Sequence, residues 1–274
     1  MATSAISRER ESFGIGVVGG PTAVIDIGGL RIVTDPTFDP PRSYGYLTKL
    51  EGPAVDMGEL GAVDIVLLSH DQHLDNLDES GRRFSRDAGA VVTGPIVAGR
   101  FGEPARGLEA WGSMTVPRPD GGLLRIEAVP AVHGPADAPR DSDGHVNGEV
   151  TGFVLSADDD VPTIYVSGDN ASITAVREIA ARHDIDIAIL FIGGARVPSK
   201  YGGRPLTLTS ERASDAAALL EPNHVVPVHC HGWAHFTEGH ERVFEAFSDA
   251  GLQAMLVKPE HGIWLPMPGL SRMP

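Results

Sequence analysis

One stretch, residues 64–78, places a predicted buried strand directly before a run of polar side chains. Residues 65–68 are all apolar, which is typical of a strand that is buried on both faces. Two imidazoles and a carboxylate follow at once, as His70, His73 and Asp75. Further acids then open a predicted helix, since a helix N-terminus favours negative charge. A strand with this ending anchors nitrogen and oxygen ligands on a short loop, which suits a divalent cation such as zinc.

Three later segments that are predicted as strands also end in residues that can bind metals. They lead into His133, Asp169 and His229, each of which follows an apolar or β-branched run. Because four such strand ends suggest one convergent site, we expect these residues to meet the first cluster. A set rich in histidine, with two carboxylates and no required thiolate, suits zinc, manganese or iron. A carboxylate in this position could also bridge two ions that share one water.

The rest of the chain alternates predicted strands and helices without a linker or a break in composition. Glycine-rich turns separate two or three strands within residues 14–34, and three helices alternate with strands in the second half. This alternation predicts one α/β domain over residues 13–274, with two similar halves. Residues 1–12 are polar and mixed in charge, so we expect a flexible N-terminus.

Charge and composition disfavour several classes of function. The chain of 274 residues has 22 basic and 37 acidic residues, and its net charge of −15 repels nucleic acid and anionic membranes. Cys230 is the only cysteine, so no intrachain disulfide forms. The sequence shows no apolar leader and no apolar run long enough to span a bilayer. We expect a soluble, cytoplasmic protein with a small-molecule substrate and no nucleic-acid or membrane partner, and we leave homo-oligomers open.

The order of these residues resembles the metal motifs of the metallo-β-lactamase superfamily. The residues concerned are His70, His73, Asp75, Asn76, His133, Asp169 and His229. Other segments are similar to one branch, the small metal-dependent hydrolases that resemble L-ascorbate-6-phosphate lactonase and N-acyl-phosphatidylethanolamine phospholipase D. They are Gly-Pro-Thr-Ala at 20–23, Thr-Asp-Pro at 34–36, Ile-Tyr-Val-Ser-Gly-Asp at 164–169 and Val-Pro-Val-His at 226–229. The resemblance covers residues 14–265 and implies a four-layer αβ/βα sandwich with its site on the shared edge of two sheets.

The resemblance also implies two metal positions. The first ion would be held by His70, His73 and His133. The second would be held by Asp75, His229 and a bridging Asp169, with Asn76 as a further ligand or a support.

The motif departs from the family's pattern at two points. His70 and His73 are three residues apart instead of two, so either the loop has one extra residue or Gln72 takes the place of a ligand. Asn76, a weaker ligand, replaces the last histidine of the motif. One-ion and two-ion sites both stay open, with zinc or manganese expected and iron as an alternative.

The final ligand has competitors in the sequence. His229, His231, His235 and His240 lie close together, and His229 is preferred because it directly follows a strand. Cys230 is expected to be a buried structural thiol. Four further histidines, His145, His183, His224 and His261, have no pattern that assigns them a role.

Other residues are candidates for catalysis or substrate binding. His235 could position substrate or donate a proton to a leaving group, and a packed histidine is the alternative reading. Asp75 is expected to align the attacking water as well as to bind metal, and Asp35 to orient a metal-bound histidine. Candidate substrate contacts are Arg196, Lys200, Tyr201, Arg204 and Trp233, although a solvated loop also explains residues 196–204.

The sequence therefore predicts a metal-dependent hydrolase that uses a metal-bound hydroxide to cleave an ester or lactone of a small molecule. A phosphodiesterase and an amide hydrolase of the β-lactam type are the alternatives within this class. A mononuclear iron oxygenase on the same fold is the alternative enzyme class, and a binding protein with a degraded site is the non-catalytic one.

Overall fold

The computed structural model describes residues 4–158 and 160–268. The first half of the chain builds one sheet and its covering helices. Its elements are β1 (Phe13–Gly19), β2 (Thr22–Ile27), β3 (Leu30–Thr34), β4 (Arg42–Ser43), β5 (Thr48–Lys49), α1 (Met57–Leu60), β6 (Ile65–Leu67), α2 (Glu79–Arg86), β7 (Ala90–Thr93), α3 (Pro95–Phe101) and β8 (Ala105–Gly107).

The second half builds a second sheet in a similar way. Its elements are β9 (Ser113–Pro117), β10 (Leu123–Pro130), β11 (Thr151–Ser156), β12 (Ile164–Val166), α4 (Ile173–Ala180), β13 (Ile187–Phe191), α5 (Ser210–Leu220), β14 (His224–Val228) and α6 (His240–Asp249). A short 3-10 helix spans Tyr201–Gly203. Among the described residues, none of these helices has the length and apolar character needed to cross a bilayer.

Each half combines an antiparallel part with a parallel part. The first sheet has the order β1-β2-β3-β6-β7-β8, in which the strands from β3 onward are parallel. The second has the order β14-β13-β12-β11-β10-β9, in which β12, β13 and β14 are parallel. Tight turns join the antiparallel strands: Gly28 and Gly29 link β2 to β3 with φ of 54° and 86°, as a two-residue hairpin turn requires. Helices α4 and α5 provide the longer crossovers that parallel strands need.

The two sheets pack face to face, and helices cover both outer faces. Side chains alternate along the strands, so Ile32 faces the core between the sheets while Val33 faces the helices outside the first sheet. In the second sheet, Ile189 faces the same central core and Ala188 packs under α4, α5 and α6. This arrangement confirms the predicted four-layer αβ/βα sandwich.

One edge of the sandwich collects the ends of strands from both sheets. Backbone hydrogen bonds join the two halves there, from Thr151 N to Ser69 O (3.0 Å) and from His229 N to Gly20 O (2.7 Å). Gly168 makes this approach possible: its φ is 55°, and a Cβ at this position would lie 2.8 Å from the Ser69 Cβ. Loops that follow strands of different sheets are therefore held within side-chain reach of each other.

Side chains and backbone turns set two element ends near the site. Helix α2 begins at Glu79, because the Asp78 carboxylate accepts a hydrogen bond from Gly81 N and caps the helix. Strand β14 ends at Val228, because His229 has a φ of 58° and leaves the strand direction.

The N-terminal segment contacts the body of the fold, and its expected flexibility stays a prediction. In the described part, residues 4–12, Ile6 is buried and its N–H donates to Gly262 O at 2.9 Å. The fully buried Arg31 donates to the carbonyls of Ser7 and Glu9, as well as to both carboxylate oxygens of Asp26. A buried guanidinium must find partners for its N–H groups, and the N-terminal segment supplies two of them.

Replacing Arg31 with leucine should lower the free energy of unfolding by about 3–5 kcal/mol, because the Asp26 carboxylate would stay buried without its partner. The matched control is Arg242→Leu, which removes an exposed ion pair with Glu211 and should leave stability nearly unchanged. Chemical denaturation followed by circular dichroism measures both variants. Equal losses in the two variants would contradict a structural role for the buried pair.

Candidate metal centre

The edge where the sheets meet brings together two groups of metal-ligating side chains. In the first, His70, His73, His133 and Asp169 each place one nitrogen or oxygen atom within 4.8 Å of the others. In the second, Asp75, Asp169 and His229 do the same. These are the two sets that the resemblance implies, and Asp169 belongs to both. The ligand assignment stays a prediction, and the geometry supports it.

The histidines of the first group point ring nitrogens at one another. The Nδ1 atom of His73 lies 2.8 Å from Nε2 of His70 and 3.2 Å from Nε2 of His133. His70 and His133 are buried, and the ring of His73 is only partly accessible. Loops after β6 and β10 therefore direct three imidazoles at a common point.

Hydrogen bonds behind the rings decide which nitrogen carries the proton. Ser69 donates its hydroxyl to Asp35 Oδ2 (2.5 Å), so its oxygen accepts from Nδ1 of His70 (2.9 Å). Nδ1 of His133 donates to the carbonyl of Leu206 at 3.0 Å. Both rings therefore carry the proton on Nδ1 and present the Nε2 lone pair to the cluster.

Burial keeps these imidazoles uncharged at neutral pH. It lowers the pKa of His73 to about 4, although the Asp75 carboxylate opposes the shift. Burial also lowers the pKa of His70 and His133 well below the usual range, and the neighbouring histidines add to the effect. Neutral imidazoles with converging lone pairs are the donor form that metal ions require.

The second group concentrates negative charge around His229. Its Nε2 atom lies 3.3 Å from Asp75 Oδ2 and 3.2 Å from Asp169 Oδ1, and Phe191 and Phe236 pack on its ring. Burial raises the pKa of Asp169 to about 6. Against the effect of burial, His235 and His229 hold the pKa of Asp75 well below its usual value, and the two carboxylates raise that of His229.

Several buried polar atoms of the site lack hydrogen-bond partners within the described part of the chain. They are Asp169 Oδ2, both ring nitrogens of His229 and Asn76 Oδ1. Leaving such atoms unpaired in a protein interior costs free energy, so they mark the place of an absent partner. A set of three imidazoles, two carboxylates and one further imidazole fits one or two divalent transition ions.

Asn76 supports the carboxylates from its position in the motif. Its amide nitrogen donates to Asp35 Oδ2 (3.1 Å) and to Asp169 Oδ1 (3.0 Å). Asp35 also accepts two hydrogen bonds from Ser69, one from its N–H to Oδ1 (2.6 Å) and one from its hydroxyl to Oδ2 (2.5 Å). Burial raises the pKa of Asp35 to about 7. Asp35 reaches the candidate ligand His70 through Ser69, and this position supports the predicted role of Asp35 in orienting a histidine.

The extra residue of the motif lies in a bend. The backbone bends at Asp71 and Gln72, and both His70 and His73 still reach the cluster. Gln72 is exposed, and its amide lies against Gly148. Of the two explanations for the altered spacing, the structure therefore favours the longer loop over a ligand role for Gln72.

His235 stands at the open side of the second group. Its Nε2 atom lies 2.9 Å from Asp75 Oδ2, and its Nδ1 atom has no hydrogen-bond partner among the described residues. The ring also borders the cleft that leads to the cluster. This position suits contact with a bound substrate.

The cleft over the site has a polar floor and apolar walls. Its open space is about 280 Å³ and is lined by Tyr46, Leu47, His73, Asp75, His133, Ala195, Val197, Lys200, Leu206 and His235. Sequence reasoning missed Tyr46, Leu47, Val197 and Leu206, because apolar side chains in loops have no pattern that marks them as substrate contacts. Only the proximity of their loops to the cluster identifies them.

Of the five predicted substrate contacts, Lys200 lines the cleft. Its amino group lies 2.7 Å from Asn147 Oδ1 and 3.0 Å from His73 Nε2. The other four are not among the described residues that line the cleft, although the ring of Trp233 lies edge-on to that of His235 at 6.1 Å. Arg196 donates to Gly203 O, and Arg204 pairs with Asp137 and donates to the Tyr201 carbonyl. Trp233 is buried and stacks on Tyr44.

Replacing Ser69 with alanine should weaken the affinity for a divalent ion about 10- to 100-fold, because the proton on His70 Nδ1 loses its acceptor. The matched control is Ser85→Ala, which removes another buried serine hydroxyl, one that donates to Gly81 O within α2. Titration of zinc in competition with a chromophoric chelator measures the affinity. Unchanged affinity in the Ser69 variant would contradict this role.

Comparison with known proteins gives relatives of similar length. A curated protein of Methanosphaerula palustris named "UPF0173 metal-dependent hydrolase" is 27% identical over 201 residues, which are 73% of this chain and 83% of the relative. A protein of the same name from Caldivirga maquilingensis is 28% identical over 207 residues, 75% of this chain and 76% of the relative.

Solved structures share the fold at lower identity. A "possible metal-dependent hydrolase" from Veillonella parvula superposes with a TM-score of 0.77 at 15% identity, over 91% of this chain and 97% of that one. An isothiocyanate hydrolase from Delia radicum gut bacteria superposes with a TM-score of 0.75 at 21% identity, over 90% and 96%.

The family model described as "Beta-lactamase superfamily domain" matches residues 30–230, a span that contains every residue of the two ligand groups. The predicted superfamily is thereby confirmed, whereas the narrower branch of lactonase-like and phospholipase-like enzymes stays a prediction. This chain belongs to the β-lactamase superfamily domain family.

Proposed function

We propose that this protein is a metal-dependent hydrolase that cleaves an ester or lactone bond of a small molecule. The observation that supports it most is the convergence of three imidazole nitrogens beside a second carboxylate–imidazole group, at the floor of an open cleft. The relatives named above as metal-dependent hydrolases support the same class of reaction.

His70, His73 and His133 would hold one ion, and Asp75 and His229 a second, with Asp169 between them. Ions in these positions would polarise the substrate carbonyl and lower the pKa of a coordinated water. The chain itself would hold these ligands in a fixed orientation. Hydrogen bonds with Asp35, Ser69, Asn76 and the Leu206 carbonyl orient them on the side away from the ions. Such support limits the reorganisation that the reaction would otherwise require.

His235 is the group that we assign to proton delivery. Asp75 Oδ2 lies 2.9 Å from Nε2 of this ring, and this contact fixes the orientation of the ring. The other nitrogen, Nδ1, is buried and has no hydrogen-bond partner in the described chain, and the ring lines the cleft. Donation of a proton at this atom would prevent the build-up of charge on the alkoxide.

The shape and charge of the cleft support a small substrate with an anionic or carbonyl oxygen. The space of about 280 Å³ above the site, part of which is open solvent, favours a small substrate. Tyr46, Leu47 and Leu206 offer apolar contacts, while Lys200 is the cation on the wall. A lysine there can bind a carboxylate or a developing oxyanion. An ester or lactone with a nearby carboxylate would match both features.

A His70→Ala/His133→Ala variant should lose bound metal and at least most of its esterase activity, because two of three converging imidazoles are removed. Protein purified without added metal is analysed for its elements and assayed on lactones and simple esters, with and without a carboxylate. His183→Ala, a histidine that lies near Glu127 and away from the cleft, is the matched control.

Two equivalents of zinc or manganese in the wild-type protein, lost in the double variant, would agree with a site of two ions. Hydrolysis that is independent of metal, or equal in the wild-type and the double variant, would contradict the proposal. One equivalent of iron with uptake of oxygen would instead favour the oxygenase alternative, and cleavage of phosphodiesters alone would exclude the ester assignment.

His235→Asn should lower kcat for an alkyl ester by about 10²- to 10⁴-fold, because the leaving alkoxide would lack its proton donor. The loss should be much smaller for a p-nitrophenyl ester, whose leaving group needs no proton, and KM should change little. Steady-state kinetics on the two esters provide the measurement, with His183→Asn as the control. An equal loss on both esters would argue that His235 only maintains the structure around Asp75.

A further inference from the structure

A second group of histidines lies outside the site described above. We call it the outer histidine cluster: His231, His240 and His261, together with Glu51. His231 belongs to the loop that follows His229, and His240 is the first residue of α6. His261 lies near the end of the described chain, and Glu51 follows β5. Residue 51, residues 231–240 and residue 261 thus meet at one place although they are separated in the sequence.

The three rings are spaced almost like those of the first ligand group. Their centroids lie 5.6 Å apart for His231 and His240, 5.4 Å for His231 and His261, and 5.9 Å for His240 and His261. In the first ligand group the three separations are 4.8, 5.2 and 5.0 Å. Three mutually adjacent imidazoles at this spacing are close to what a single tetrahedral ion requires.

Glu51 orients the ring of His231, as a carboxylate commonly does for a histidine that binds a metal ion. Its carboxylate accepts a hydrogen bond from Nε2 of His231 at 2.7 Å. A carboxylate bonded to one ring nitrogen places the proton there and leaves the other nitrogen, Nδ1, as the donor for an ion. Burial lowers the pKa of His240 to about 4 and also lowers that of His261, so both rings are neutral and keep a lone pair at neutral pH.

The side chains of the outer histidine cluster are exposed enough to rearrange around an ion. Its ligand atoms do not all lie within 4.8 Å of one another, and the rings of His231 and His240 are stacked with planes 23° apart, so the rings must reorient on binding. The side chains of His231 and Glu51 are 42% and 55% exposed, which allows that rotation. A small cleft lined by Glu51, Pro53, His231, Gly232 and His261 provides access.

We propose that the outer histidine cluster is a second metal site, which binds one zinc-like divalent ion through His231, His240 and His261, with Glu51 orienting His231. An ion in this position would join the loop of residues 229–235 to α6 and to the end of the described chain. That loop contains His229 and His235, so the ion would fix the backbone that positions both. The proposal does not depend on the hydrolase assignment.

The test measures zinc bound at equilibrium in a His70→Ala/His133→Ala background, in which the first ligand group is disabled. Adding His240→Ala and His261→Ala should lower the zinc content by one equivalent, measured by dialysis and elemental analysis. Adding His183→Ala instead should leave it unchanged. The rise in Tm that zinc produces in the background protein should also be lost with the two outer histidines. Equal zinc content with and without these two imidazoles would overturn the proposal.

Two substitutions at exposed positions keep the test independent of folding. His231→Gln should also remove the equivalent of zinc, since the amide replaces one of three imidazoles. Glu51→Gln should retain the site and weaken its zinc affinity about tenfold, because a weaker acceptor orients His231. Circular dichroism in the presence of a chelator should be the same for both variants and the background. Unchanged zinc affinity in both variants would equally overturn the proposal.

Discussion

The structure around the site depends on one electrostatic constraint. His70 and His133 each direct an Nε2 lone pair at Nδ1 of His73, in an interior where neither ring is charged. Two lone pairs buried in a low-dielectric environment thus share one hydrogen-bonding position of His73, so the protein fully satisfies at most one of them. A cation at this point would satisfy all three nitrogens at once. The geometry therefore supports an ion here, and the remaining contacts hold the rings in the orientation that an ion would need.

The fold supplies the rigidity that this orientation demands. Each ligand follows a strand that is buried on both faces, so packing in two cores fixes the point at which each loop begins. Hydrogen bonds between Thr151 and Ser69 and between His229 and Gly20 then hold the loops of the two sheets together. The buried pair of Arg31 and Asp26 ties the N-terminal segment to the first sheet in the same way.

Particular residues show how far a sequence pattern reaches. The motif from His70 to Asp75 and the single residues His133, Asp169 and His229 could be identified because each ends an apolar run, and the structure brings them together. The loop residues 196–204 had no such anchor, and only Lys200 among the predicted substrate contacts lines the cleft. His261 had no local pattern at all, because its neighbours His231 and His240 come from other segments.

By itself the sequence determined the class of fold, the order of the ligands and their chemistry, since strand burial and ligand type are local properties of a few adjacent residues. Only the tertiary structure decided that Asp35 reaches His70 through Ser69, that Asn76 bridges two carboxylates, and that Gln72 lies outside the cluster. The tertiary structure also decided which apolar side chains line the cleft. These relations join residues far apart in the chain, and the packing of two sheets, which no short segment encodes, sets their distances.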